Sequence, residues 1–294
     1  ITDRQDIQLH WIEPEDGLKV FGRLDALGFT TDKCGQSYPG AKYGDVRNIV
    51  GCPVAGVDRN ELIDASPIAK KLTEYFSGNR DYLNLPRKFK PTISGCQIGC
   101  TIPEVNDLSF LAVRTDRGIG FATLVGGGAG APPMLARPLG AVVWPNDVFD
   151  VAVAIVEIFR DHGKRESKAK ARFKWLVAEW GVQKVRASIE DKIGKRLDDY
   201  SINGTIQTGG EHIGIQPQKQ DGEFYVNVPV VGGNITNKQL MRISELSERY
   251  GTGELRLTTS QNIIVINVKQ KNLFSMKEEL EGIGESVEAP PMRW

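Results

Sequence analysis

Polar and apolar residues alternate from Ile1 to His10, as a strand with one buried face requires, and the same alternation returns near the other end of the chain. Ile1-Thr-Asp-Arg-Gln-Asp-Ile-Gln-Leu-His10 and Leu257-Thr-Thr-Ser-Gln-Asn-Ile-Ile-Val-Ile266 align at one constant offset. Past each run the spacing becomes helical, with Leu18, Phe21, Leu24, Leu27 and Gly28 falling near Leu273, Met276, Leu280 and Gly284. Two copies of a strand-helix unit are therefore expected. The second has a full lead-in: an alternating strand from Phe224 to Val230, then Thr236 as N-cap for a helix carrying Leu240, Ile243 and Leu246. The first copy lacks that lead-in and the chain opens without Met, so both ends read as cuts.

Between the copies, Asn60 to Ser77 reads as an amphipathic helix entered after Asp58 and left at Gly78-Asn79. Strands are expected over Phe89 to Ser94, Asp107 to Val113 and Gly120 to Val125, the last broken by Gly126-Gly-Gly-Ala-Gly130. Helices follow over Asn146 to His162, Lys168 to Trp180 and Val182 to Lys195, and polar Arg196 to Gly210 reads as a linker. Segregated strands and helices give an α+β fold. Three units are expected: 1–30, a remnant of a first half-domain; 31–200, a mixed sheet-and-helix domain; and 201–294, a second half-domain.

Composition narrows the function. Lys plus Arg equals Asp plus Glu at 37 each, so no net positive field draws in nucleic acid or an anionic membrane, and any basic site must be local. No run of roughly 18 apolar residues exists and no secretory signal opens the chain, which places it in the cytoplasm by expectation.

Four cations sit in structured contexts: Arg4, where the repeat partner has uncharged Ser260; Arg47, just before the Gly51-Cys-Pro53 turn; and Lys88 and Lys90 in Leu85-Pro-Arg-Lys-Phe-Lys-Pro91. On a strand Lys88 and Lys90 share one face while Arg87 and Phe89 share the other. Two ammonium groups side by side repel unless an anion lies between them. By itself this run is more commonly a solvated basic edge strand.

The order and separation of several segments resemble the assimilatory nitrite/sulfite reductase family. They are Arg4 to His10, Val46 to Pro53, Asn84 to Lys90, Val105 to Leu108, Leu124 to Gly127, Phe159 to Gly163, Ile215 to Gln220 and Tyr250 to Thr258. The resemblance implies a ferredoxin-like half-domain repeat flanking a siroheme-binding domain, with siroheme bridged to a 4Fe-4S cluster. It implies six-electron reduction of sulfite to sulfide or nitrite to ammonia, with ferredoxin or a flavoprotein as electron donor. Arg4, Arg47, Lys88 and Lys90 would form the catalytic anion pocket. Lysine at position 90 resembles sulfite-reducing members, where plant-type nitrite reductases tend to have asparagine. Siroheme's carboxylates need cationic or amide partners, for which Arg87, Gln218, Lys219 and Gln220 are candidates, with Gln5, Asn48 and Asn262 assisting. Gly126 to Gly128 either let a macrocycle approach or make an ordinary turn.

The family's cluster ligands, Cys-x5-Cys and a later Cys-x3-Cys, follow the second repeat and are expected outside this chain, so no metal ligand is assigned here. Gly95-Cys-Gln-Ile-Gly-Cys100 keeps a Cys-x3-Cys spacing, but Val46 stands six residues before Cys52. Cys34, Cys52, Cys96 and Cys100 remain either structural thiols or an unusual metal site. Two competing readings are a precorrin-3B synthase-like enzyme and a non-catalytic tetrapyrrole-binding or interaction module; retention of all four cations argues against the former.

Overall fold

A computed structural model describes residues 1–30, 44–202 and 212–287. Its larger sheet runs in the order β1 (Val50–Gly51), β2 (Pro91–Ser94), β3 (Leu108–Thr115), β4 (Gly118–Val125), β5 (Arg137–Val143), β6 (Asp198–Asp199). The first three strands are parallel and the remainder antiparallel. Alternation decides what each face meets. Phe110, Phe121, Leu139 and Val143 point to the face covered by α2 (Ser66–Phe76), α3 (Val148–His162) and α4 (Phe173–Ile193), where they join Ile155, Phe159 and Phe173 in the main core.

The second sheet, in the order β7 (Ile215–Pro217), β8 (Glu223–Val228), β10 (Ile263–Lys269), β9 (Leu255–Leu257), is antiparallel throughout. α5 (Asn237–Tyr250) and α6 (Leu273–Gly282) bury Ile243, Leu246, Met276 and Leu280 against it. Thr236 caps α5 as expected, in a reciprocal capping box with Gln239. The opposite face, Tyr225, Ile264 and Ile266, packs on Val54 and Val57 and so couples this sheet to the loop after β1.

The repeat is visible in the backbone itself. α1 (Gly17–Ala26) corresponds to α6 at the same offset, and positive φ angles recur at Gln5 (62°) and Gln261 (64°), at Trp11 (61°) and Asn267 (60°), and at Gly28 (79°) and Gly284 (82°). Gln5 donates from Nε2 to Leu257 O at 2.9 Å, and Gln261 donates from Nε2 to Ile1 O at 3.0 Å, each amide reaching the first residue of the other copy.

Several boundaries differ from the sequence expectation. Residues 1–10 form a turn and extended backbone with no strand, because among the described residues nothing pairs with them as β8 and β9 pair with β10, and Ile7, Leu9 and Trp11 are exposed. The Asn60 to Ser77 helix begins only at Ser66, where Pro67 supplies the preset φ of a first turn. The strand expected from Phe89 starts at Pro91, since Pro86 and Arg87 bend and Phe89 makes only an isolated bridge to Val46. The linker at Arg196 to Gly210 contains β6 and buried Leu197 in its described part, and β5 was not foreseen because Pro138 and Gly140 interrupt its pattern. The two helices expected either side of Gly181 are found, broken at that residue by φ 74° and ψ 155°.

Candidate functional site

The start of β2, the loop after β4 and the N-terminal end of α4 enclose a cavity of about 400 Å³. Arg4, Arg87, Lys88, Lys90, Lys168, Arg172 and Lys174 line it, against one lining carboxylate, Asp3. Local architecture puts them there. Phe89, fully buried, stacks obliquely on Phe159 and Phe173 at centroid distances of 5.6 and 5.4 Å and anchors the backbone between the two lysines. Leu85 exchanges main-chain hydrogen bonds with Gly44, a close approach that needs glycine, because a Cβ there would lie 2.1 Å from the Arg87 carbonyl carbon.

Asp107 organises the opposite wall. Buried completely, it accepts from Lys90 N at 2.8 Å and forms an ion pair with Arg172 Nη2 at 2.8 Å. Burial pushes its carboxyl up, while Arg172 opposes that shift. Lys174 donates to the carbonyls of Gly130 and Pro132, both at 2.6 Å, and so pins the loop after β4.

Arg4 is held rather than free: its guanidinium donates to Asn106 Oδ1, Asn48 O and Pro91 O at 2.9, 2.5 and 2.9 Å, and burial lowers its pKa to about 10. Its Nε is buried without a partner. Lys88 and Lys90 are both lowered, first by burial; Arg172 and Arg47 add to the effect on Lys88, and Arg4 to that on Lys90. A bound anion would offset the repulsion among these cations, which makes this a site shaped for negative charge.

The cavity gathers Arg4, Lys88 and Lys90 together with Arg87, which the bend at residues 86–87 turns toward the same side. Arg47 does not line it; it pairs with Asp45 at 3.1 Å and acts on Lys88 through its charge. Gln5, Asn48 and Asn262 are absent from the lining and serve the backbone: Gln5 bonds Gly51 and Leu257, Asn48 donates to Arg4 O, and Asn262 accepts from Val230 N. Gln218, Lys219 and Gln220 lie where the smaller sheet meets the loop after β1, bonded to Asn267, Glu61 and Gly56. Gly126 and Gly127 are needed by the chain's own packing, since Cβ atoms there would lie 2.9 Å from Val177 Cβ and 2.4 Å from Glu104 O. Lys168, Arg172 and Lys174 were missed; on the sequence they are three of many cations at a helix start, and only the fold brings them across from Lys88.

Cys34 lies outside the described residues. Cys52, Cys96 and Cys100 are free thiols. The sulfurs of Cys52 and Cys100 and a ring nitrogen of His212 lie within 4.8 Å of one another. A cubane cluster holds its thiolates much farther apart, so these residues do not fit a 4Fe-4S cluster.

Residues 43–197 match the family described as nitrite and sulphite reductase 4Fe-4S domain, and residues 216–283 match the nitrite/sulfite reductase ferredoxin-like half domain. The chain is 34% identical to the assimilatory ferredoxin-dependent nitrite reductase of Haloferax mediterranei over 91% of its own length and 47% of that protein. It is 35% identical to sulfite reductase [ferredoxin] 2 of Mycolicibacterium paratuberculosis over 100% of this chain and 51% of that one. The structure of Mycobacterium tuberculosis NirA superposes with a TM-score of 0.90 at 31% identity, covering 98% of this chain and 52% of the other. The chain thus spans about half the length of these relatives. With both its sheets matched, it belongs to the nitrite and sulfite reductase family.

Proposed function

We propose that this chain supplies the anion-binding wall of a siroheme-dependent sulfite or nitrite reductase, working in the cytoplasm with ferredoxin or a flavoprotein as electron donor. The observation that carries this reading is the cavity in which seven cations face one carboxylate. At about 400 Å³ it is far larger than sulfite or nitrite, which leaves room for part of a polycarboxylate cofactor beside the anion.

Siroheme, when bound, supplies the iron at which the anion is reduced and the route by which electrons arrive. Arg87, Lys168 and Arg172 suit its carboxylates, and the unpartnered Nε of Arg4 is a further donor. Lys88 and Lys90 would bind the substrate's oxygens, stabilising the charge that grows as each oxygen leaves. Their lowered pKa values make Nζ of each a ready proton donor for oxygen departing as water. Asp107 holds the Lys90 backbone so that this proton starts from a fixed place.

The test is turnover by the complete siroheme-loaded protein with chemically reduced ferredoxin, assaying sulfide from sulfite and ammonia from nitrite. Formation of either product supports the reading; siroheme retention with neither product formed contradicts it.

A further inference from the structure

Three loops bring soft donors to one point. Cys52 follows β1, Cys100 lies in the loop after β2, and His212 precedes β7 of the other sheet. Cys52 Sγ lies 3.4 Å from His212 Nε2, and all three donor atoms fall within 4.8 Å of one another. Around a tetrahedral zinc ion, bond lengths of about 2.3 Å to sulfur and 2.0–2.1 Å to nitrogen put neighbouring ligands roughly 3.6–3.8 Å apart. The observed set is of that size.

We propose that Cys52, Cys100 and His212, with Cys96 as fourth ligand, form a mononuclear site for a zinc-class divalent cation that ties the two sheets together. Cys96, buried like Cys100 and four residues before it, has its Sγ 3.5 Å from Ser94 Oγ, outside the 4.8 Å set, and completes the coordination by turning toward it. A second-shell partner is in place: His212 Nδ1 lies 3.2 Å from the hydroxyl of buried Tyr225, and in the tautomer protonated at Nδ1 that hydroxyl accepts and Nε2 is left for the metal. A full protein donor set, with Cys96 and Cys100 buried and Cys52 and His212 half-buried, makes this a closed, structural site rather than a catalytic one. Metal entry displaces the thiol protons of the bound cysteines, so affinity rises with pH. None of the four ligands lines the anion cavity, and the site does not depend on the function assigned there.

The experiment is elemental analysis of the complete reduced protein, followed by chelation and cobalt titration. Stoichiometric zinc is expected, and after its removal cobalt should give thiolate charge-transfer and tetrahedral d–d bands. Cys100→Ser and His212→Gln should lose those bands while Lys88→Met keeps them. The wild-type spectrum decides the matter even if a variant fails to fold. Freely reactive thiols without zinc or cobalt bands, a Cys52–Cys100 disulfide, or iron-sulfide absorption assigned to these thiols would each overturn the proposal.

Discussion

Lys90 and Asp107 grip one another through the main chain: Asp107 Oδ2 accepts from Lys90 N at 2.8 Å, and Asp107 N donates to Lys90 O at 2.9 Å. The same carboxylate holds Arg172, so one buried acid sets the separation of the cavity's walls. Arg172→Met strips that acid of its partner and is expected to cost about 3–5 kcal/mol in urea denaturation. Asp107→Asn in the same chain should recover part of the loss, because the stranded charge is gone. Additive losses would contradict the coupling.

Phe89 locks the lysines from beneath. Phe89→Ala removes a fully buried ring from contact with Phe159 and Phe173 and should cost about 3–5 kcal/mol, whereas Phe89→Leu should cost clearly less. Equal midpoints for the two variants would show that the site relaxes without the ring.

Much of this could be read in the chain. The offset relating Ile1 to Leu257 predicted the correspondence of α1 with α6, and the family resemblance, rather than the local run, singled out Lys88 and Lys90, which line the cavity. What could not be read was whether residues 1–10 pair with neighbours, since alternation reports a face and not a partner. Nor could sequence separate Arg172 and Lys174 from other cations of helix starts, or show that Gln218 is spent on Asn267. Those outcomes are set by contacts between segments far apart in the chain.

The repeat makes its own prediction. Gln5 bonds both Gly51 and Leu257, while Gln261 bonds Ile1. Gln5→Ala should cost roughly 1–3 kcal/mol by leaving main-chain groups unsatisfied, with Gln261→Ala the milder of the two. Thermal denaturation of both variants checks the ranking; a larger loss at Gln261 would reverse it.

Burial and neighbouring cations lower Lys88 and Lys90, so they shed protons at lower pH than ordinary lysines. Nitrite affinity should therefore be full at neutral pH and begin to fall at a lower alkaline pH than an unperturbed lysine would give. In that interval the unfolded chain binds more protons, so these groups make stability rise with pH. A titration of nitrite binding that stays flat until the ordinary lysine range would contradict the lowered values.

The proposed function stands on Lys88 and Lys90 acting on the anion. Its most direct test is steady-state turnover of the complete siroheme-loaded protein carrying Lys88→Met or Lys90→Met, with siroheme content read by absorbance. Turnover is expected to fall about 10²–10³-fold with siroheme retained. Unchanged turnover, or siroheme and activity lost in parallel, would contradict it.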